Sequence, residues 1–283
     1  MGSQASDGVV DTRRYPLDDP ADPVWRAVVE QARRDLRADG CTVLRDVVPA
    51  AHRDRLRDEG DAVAGAAHAQ VAEVNVYNTD PDPALPDDHP ARVVLQRRNA
   101  FVARDHIPAD HLVQRLYTHP GLQRLVAACF EVRAVHGLAD PYAGLTLNVV
   151  APGDDHPWHF DTNELAVSLL TRAPASGGLF EYCPGIRAAG DENHAGVRAV
   201  LDGDRAPVRS LELRPGDLQL FRGRFSLHRV TPVGGTTPRH AAILAYSERP
   251  GVVGSPARTR QLFGRVAPEH LAGASVRSDT LLD

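Results

Sequence analysis

The segment His156-Pro157-Trp158-His159-Phe160-Asp161 places an imidazole and a carboxylate two residues apart. On an extended strand, side chains at i and i+2 leave the same face, so His159 and Asp161 can meet one metal ion while Phe160 points away. A third donor must come from elsewhere, and Phe221-Arg222-Gly223-Arg224-Phe225-Ser226-Leu227-His228-Arg229-Val230 offers His228 on a later strand-like run. Two imidazoles and one carboxylate on one face of an octahedral ion leave three positions open. That suits Fe(II) binding a bidentate 2-oxo acid and O2. Zinc in a hydrolase would be the other use of such donors.

A cation for the far end of the co-substrate separates the two uses. Arg239 stands eleven residues after His228, just before the strand-like run Ala241–Ser247, and is placed to pair bidentately with a dicarboxylate. The implied co-substrate is therefore 2-oxoglutarate, with O2. His156, Trp158 and Asn163 flank the metal motif and either line a substrate pocket or pack against a neighbouring strand. Glu181 would suit a cationic amine or be plain surface; Arg97-Arg98-Asn99 would take a substrate carboxylate or be solvated.

Composition narrows the field. The 32 basic residues are all arginine, so Schiff-base chemistry, lysine-bound pyridoxal phosphate and a phosphate-loop lysine are excluded. A net charge of −5 gives no general attraction for nucleic acid, and no apolar run approaches the roughly 18 residues of a membrane span. The N-terminal residues lack a basic region leading into an apolar one, so a cytoplasmic location is expected. Cys41, Cys129 and Cys183 are widely spaced and read as buried, inert thiols rather than a zinc knot or a disulfide framework.

The elements that must hold these groups change character along the chain. Asp22-Pro23 is an N-cap and first-turn pair, followed by Val24, Trp25, Val28, Val29, Ala32 and Leu36 at helical spacing and a stop at Gly40. Cys41–Val48 reads as a strand, Pro49 to about Ala69 as a helix, and Ala109–His119 and Pro120–Phe130 as two more. Between them Tyr77–Pro90 is too rich in Pro and Asp for regular structure and is a candidate lid. Beyond Glu131 come short runs separated by turns: Leu145–Val150, Glu164–Thr171, Leu179–Tyr182, Val208–Leu213, Asp217–Phe221 and Ala241–Ser247. Many short strands at this spacing imply an antiparallel sandwich or barrel. Ser255–Leu271 looks helical again.

The expected organisation is one domain over residues 1–283. Residues 1–130 form a mostly helical buttress with the candidate lid, 131–250 the β core, and 251–283 a C-terminal helical segment.

On these motifs, residues from about Gly137 to Pro250 resemble the double-stranded β-helix core of the Fe(II)/2-oxoglutarate-dependent dioxygenase superfamily. That implies a mainly β fold with flanking helices around a jelly-roll, cupin-like core. Leu147-Asn148-Val149-Val150-Ala151-Pro152-Gly153 ahead of His159-Phe160-Asp161 is similar to the N-x-x-x-x-G…H-x-D run of the DNA-repair dioxygenases. There the Asn contacts 2-oxoglutarate, a role implied for Asn148; the tyrosine two residues on is replaced here by Val150. The stretches WHFDTNE, GGLFEY and LHRVTP also resemble the small-molecule oxygenases that include carrier-independent amino-acid halogenases and their hydroxylase cousins. Halogenases of that kind replace the acidic ligand by Gly or Ala to admit chloride. Asp161 fills that place, so the resemblance implies hydroxylation or another oxidation.

The leading expectation is oxidation of an unactivated C–H bond in a small polar metabolite, a free amino acid or a natural-product intermediate, with release of succinate and CO2. The alternatives are a hydroxylase of protein side chains with the same fold, and a non-catalytic metal-binding β-barrel. Neither the substrate nor an oligomeric state follows from the sequence.

Overall fold

The computed structural model describes residues 8–163, 165–272 and 281–282. Helix α1 (Pro23–Asp39) begins where Asp22 accepts a hydrogen bond from the Val24 amide and ends at Gly40, whose φ of 63° suits glycine. After β1 (Cys41–Leu44) the chain turns, because the Asp217 carboxylate takes the Asp46 amide and the Arg45 guanidinium. The expected strand to Val48 therefore stops at Leu44. The expected helix from Pro49 to Ala69 opens as a short 3-10 turn at Ala50–His52 and continues as α2 (Arg53–Ala64). Next come β2 (Ala72–Val74), β3 (Leu95–Arg97), β4 (Ala100–Val102), α3 (Leu112–Thr118) and α4 (Pro120–Phe130).

The remaining strands are β5 (His136–Gly137), β6 (Leu145–Val150), β7 (His156–His159), β8 (Ala166–Arg172), β9 (Ser176–Gly177), β10 (Phe180–Cys183), β11 (Arg209–Leu211), β12 (Leu218–Phe221), β13 (Leu227–Val230), β14 (Val233–Gly234) and β15 (Arg239–Ser247). Helices α5 (His194–Leu201), α6 (Pro256–Phe263) and α7 (Pro268–Leu271) complete the chain. The expected strand Glu164–Thr171 begins on Glu164, which lies outside the described residues.

Two antiparallel sheets face each other. The larger runs β1-β12-β8-β15-β6-β4 and the smaller β11-β10-β13-β7. This is a mainly β jelly-roll core with flanking helices, as expected. Strand parity sorts the larger sheet's residues. Leu145, Leu147, Val167, Leu169, Leu218, Leu220, Ala242 and Leu244 sit in one buried cluster with Val29, Leu36, Leu56, Leu116, Leu122 and Leu125 of the first four helices. The alternate residues, among them Asn148, Val150, Ser168, Gln219, Phe221, Arg239 and Ala241, share the face turned to the smaller sheet. Truncating one buried leucine such as Leu147 to alanine costs about 2–5 kcal/mol. The helices thus fix the outer side of a wall whose inner side carries polar groups.

The segment Tyr77–Pro90 is irregular, as expected, and its beginning is tied down. Tyr77 is buried and stacks on Phe160 with ring centroids 5.8 Å apart. The Asn75 side-chain amide donates to Thr79 and to the carbonyls of Asp80 and Ala91. Among the described residues no helix is long and apolar enough to cross a membrane.

Candidate metal centre

Strand β7 carries His159 and pairs with β13 so that His159 lies opposite His228. Beyond the end of β7 the chain is held straight by two backbone hydrogen bonds, Phe160 N–H to Val76 C=O at 2.8 Å and Asp161 N–H to Gly223 C=O at 3.1 Å. Asp161 is thereby placed beside both imidazoles. Its Oδ1 is 3.8 Å from His159 Nε2 and 3.5 Å from His228 Nε2. The three donors all lie within 4.8 Å of one another.

Each ring is oriented by its own strand. His159 Nδ1 lies 2.8 Å from the Pro157 carbonyl and His228 Nδ1 2.9 Å from the Ser226 carbonyl. A carbonyl only accepts, so the proton is on Nδ1 and the Nε2 lone pairs are free to bind a metal. Burial, with His156 and His228 nearby, holds the pKa of His159 well below the usual histidine value. Burial acts to raise the Asp161 pKa, but His228, His159 and Arg258 outweigh it and keep the carboxyl ionised. Neutral imidazoles with a carboxylate are the protonation states metal binding requires. The residues fit an Fe(II) ion.

Glycine makes the room. A Cβ on Gly223 would lie 1.8 Å from Asp161 Oδ2, and one on Gly178 would lie 3.2 Å from Cδ of Arg239. Neither glycine announces this in the sequence, because each contact is made across the sheets.

Arg239 and Asn148 stand on the inner face of the larger sheet. Arg239 is opposite Val150 and Asn148 opposite Ala241 on paired strands, so the two side chains emerge two residues apart on one face. Both are buried, the Asn148 Nδ2 has no partner among the described residues, and burial pushes the Arg239 guanidinium down to about 10, which leaves it charged at neutral pH. A buried cation and a buried amide donor, free of carboxylate partners among the described residues, fit a dicarboxylate co-substrate.

His156 joins the site by an irregularity. The register shifts between His228 and Val230, pairing Val230 with His156, so His156 faces the same way as His159 three residues on. Its ring stacks on His159 at 3.9 Å and meets the edge of Phe101 at 6.1 Å. Trp158, expected beside it, is not brought to the triad. Its ring packs on the other side of the smaller sheet with Val76, Phe160 and Leu227, under Arg229 at 4.7 Å. Asn163 is half-buried in the bend after Asp161. Glu181 is not free for an amine: Arg205 and Arg229 both pair with its carboxylate, at 2.6 and 2.7 Å. Arg98 is exposed, whereas Arg97 and Asn99 are buried with unpartnered polar atoms. The charge of Arg258 of α6, which the sequence did not bring forward, also acts on Asp161.

Facing antiparallel sheets with this triad at one end define the fold of the 2-oxoglutarate/Fe(II) oxygenases. The non-haem alpha-ketoglutarate-dependent carbocyclase SnoK of nogalamycin biosynthesis superposes with a TM-score of 0.54 at 17% identity, over 88% of this chain and 94% of that one. The epimerase SnoN from the same biosynthesis gives 0.52 at 16%, over 78% and 83%. An oxidoreductase of the 2OG-Fe(II) oxygenase family from Burkholderia pseudomallei gives 0.51 at 15%, over 79% and 92%. At these identities the likeness is one of fold. The sequence model of a family described as Halogenase D matches residues 24–253. The chain belongs to that family, and with it to the Fe(II)/2-oxoglutarate-dependent oxygenases. No curated protein is similar enough in sequence to count as a match.

Proposed function

We propose that the protein hydroxylates, or otherwise oxidises, an unactivated C–H bond of a small polar metabolite, a free amino acid or a natural-product intermediate, as one domain in the cytoplasm. The observation that carries this reading is Asp161 Oδ1 standing between His159 Nε2 and His228 Nε2 with both Nδ1 protons committed to backbone carbonyls. The iron, with O2 and 2-oxoglutarate, supplies the oxidising power, and the co-substrate leaves as succinate and CO2. The chain's own groups position the reactants. Arg239 holds the distal carboxylate of 2-oxoglutarate, Asn148 donates to it, and the rings of His156 and Phe101, edge to face, line the wall on which a substrate lies.

The family's description raises halogenation as a second reading. A carboxylate already occupies the third protein position here, so oxidation is the reading favoured. SnoN, solved with Fe3+, alpha-ketoglutarate and nogalamycin RO, is a natural-product enzyme of this fold, a precedent for the small-molecule reading.

The test is incubation with Fe(II), 2-oxoglutarate, O2 and a metabolite pool, with and without chloride, followed by mass spectrometry. A product gaining one oxygen or losing two hydrogens, matched by succinate, is expected. Chlorinated products, or no succinate above background, would sink the reading.

A further inference from the structure

The cations around the site outnumber the anions. Arg97 is 2% exposed, and its Nε and Nη1 have no partner among the described residues. Its Nη2 donates to the Gln261 carbonyl at 2.9 Å, while Arg258 Nη1 donates to the Gln261 side chain. One residue of α6 thus gathers two guanidiniums. Two other arginines out of full solvent contact are neutralised, the buried Arg187 by Glu192 at 2.8 Å and the half-buried Arg229 by Glu181 at 2.7 Å. Among the described residues, no carboxylate acts on Arg97, and the only one acting on Arg258 is Asp161, which is committed to the metal centre. Like-charged neighbours in a buried setting are costly unless a ligand compensates them.

The pair is built into the fold. Ser255 caps α6 by accepting from the Arg258 amide at 3.3 Å. The fully buried Asp140 accepts from the Gly254 amide at 2.8 Å and from His270 Nε2 at 3.0 Å, which fixes both ends of the α6–α7 segment. Arg97 reaches the same place from β3, and both arginines influence His156, which stacks on His159.

Charge then selects the substrate. Among the described residues, Arg97, Arg239 and Arg258 carry three positive charges against the single negative charge of Asp161. A ferrous ion and a 2-oxoglutarate dianion cancel each other, so the loaded site retains an excess of about two positive charges. A neutral zwitterion would leave that excess in place, and a basic amino acid would increase it.

We propose that Arg97 and Arg258 together form an acid-recognition pair, and that the substrate is a small dicarboxylic metabolite of net negative charge, such as an acidic amino acid. Arg258 is the specificity-determining member. This rests on the oxygenase reading above only for the placement of iron and 2-oxoglutarate; the surplus of buried and half-buried cations belongs to the chain itself.

The experiment is anaerobic calorimetry of the protein loaded with Mn(II) and 2-oxoglutarate, titrated with L-aspartate, L-glutamate, L-leucine and L-lysine. At least one acidic probe should bind tenfold or more tighter than leucine and lysine. Arg258→Gln should weaken that probe at least tenfold while leaving the affinity for 2-oxoglutarate unchanged, and Arg258→Lys should restore part of it. Lysine or leucine binding as tightly as the acidic probes, no binding by any of the four, or an Arg258→Gln protein with undiminished acid preference would overturn the proposal. Failure of the oxygenase reading appears separately, as absence of Mn(II) and 2-oxoglutarate binding before any amino acid is added. The same four titrations on metal-free protein then still decide the charge preference.

Discussion

Gly223→Ala is the sharpest perturbation of the metal centre that leaves every donor in place. The backbone at Gly223 is not in the left-handed region, so alanine brings no conformational strain of its own. Its methyl carbon, however, would stand 1.8 Å from Oδ2, 2.6 Å from Cγ and 3.0 Å from Cβ of Asp161. Ordinary contact between heavy atoms needs about 3.5 Å, so the carboxylate must retreat by roughly 1.5 Å or rotate off the imidazole pair. The Asp161 amide is bonded to the Gly223 carbonyl at 3.1 Å, which prevents the two segments from simply parting. Disturbing the support of a ligand costs about 10–100-fold in metal affinity, and a misplacement of about 1 Å costs about 100-fold in rate. Calorimetry with Mn(II) and initial rates of succinate formation measure both, with circular dichroism to check the fold. A folded Gly223→Ala protein with unchanged Mn(II) affinity and rate would refute this assignment of Asp161.

Three further outcomes follow from the same geometry. Arg239→Met should raise the 2-oxoglutarate concentration for half-maximal succinate formation by about 100-fold, the worth of a charge-assisted bidentate pair of about 3 kcal/mol, and an unchanged requirement would show that another group holds the distal carboxylate. Trp158→Phe should lower stability by about 1–2 kcal/mol through lost packing and lost contact with Arg229, measured by denaturant titration, yet leave the co-substrate requirement alone; a shift in that requirement would return Trp158 to the site. His240 is 1% exposed and burial pushes its pKa down to about 4, against the pull of Asp61. The unfolded chain gains a proton at this residue as pH falls through about 6.5 and the folded one only near 4, so stability should fall by up to about 3 kcal/mol across that window. His240→Gln should remove that part of the pH dependence; parallel losses in both proteins would count against it.

The triad was legible because its logic is local or nearly so. Strand parity puts His159 and Asp161 on one side, and His228 lies opposite His159 once β7 and β13 pair. The same parity turns Trp158, the immediate neighbour of His159, the other way, and the expectation that it lines the pocket rested on proximity alone. His156 should have followed Trp158, and it is the register shift beside His228 that turns its ring onto His159, a feature no spacing rule contains. Asn148 and Arg239 were named from motif and position, and the register between β6 and β15 supplies the shared face. Glu181 reads as an available carboxylate until Arg205 and Arg229 close on it from different elements. Arg258 and Gly223 had no signal: Arg97 of β3 meets Arg258 only through Gln261, one turn further along α6, and Gly223 meets Asp161 only across the fold. The end of the first strand differs from expectation for a similar reason: β1 stops at Leu44 because Asp217, far along the chain, takes the turn's donors.

The central claim is that His159, Asp161 and His228 hold Fe(II) with two adjacent positions open to 2-oxoglutarate. Anaerobic addition of Fe(II) and then 2-oxoglutarate to the purified protein, followed by visible absorption, tests it most directly. The account expects a weak metal-to-ligand charge-transfer band that appears only when both are present and is absent in His228→Ala. No band in the wild-type protein at saturating Fe(II) and 2-oxoglutarate, or an equal band in His228→Ala, would contradict it.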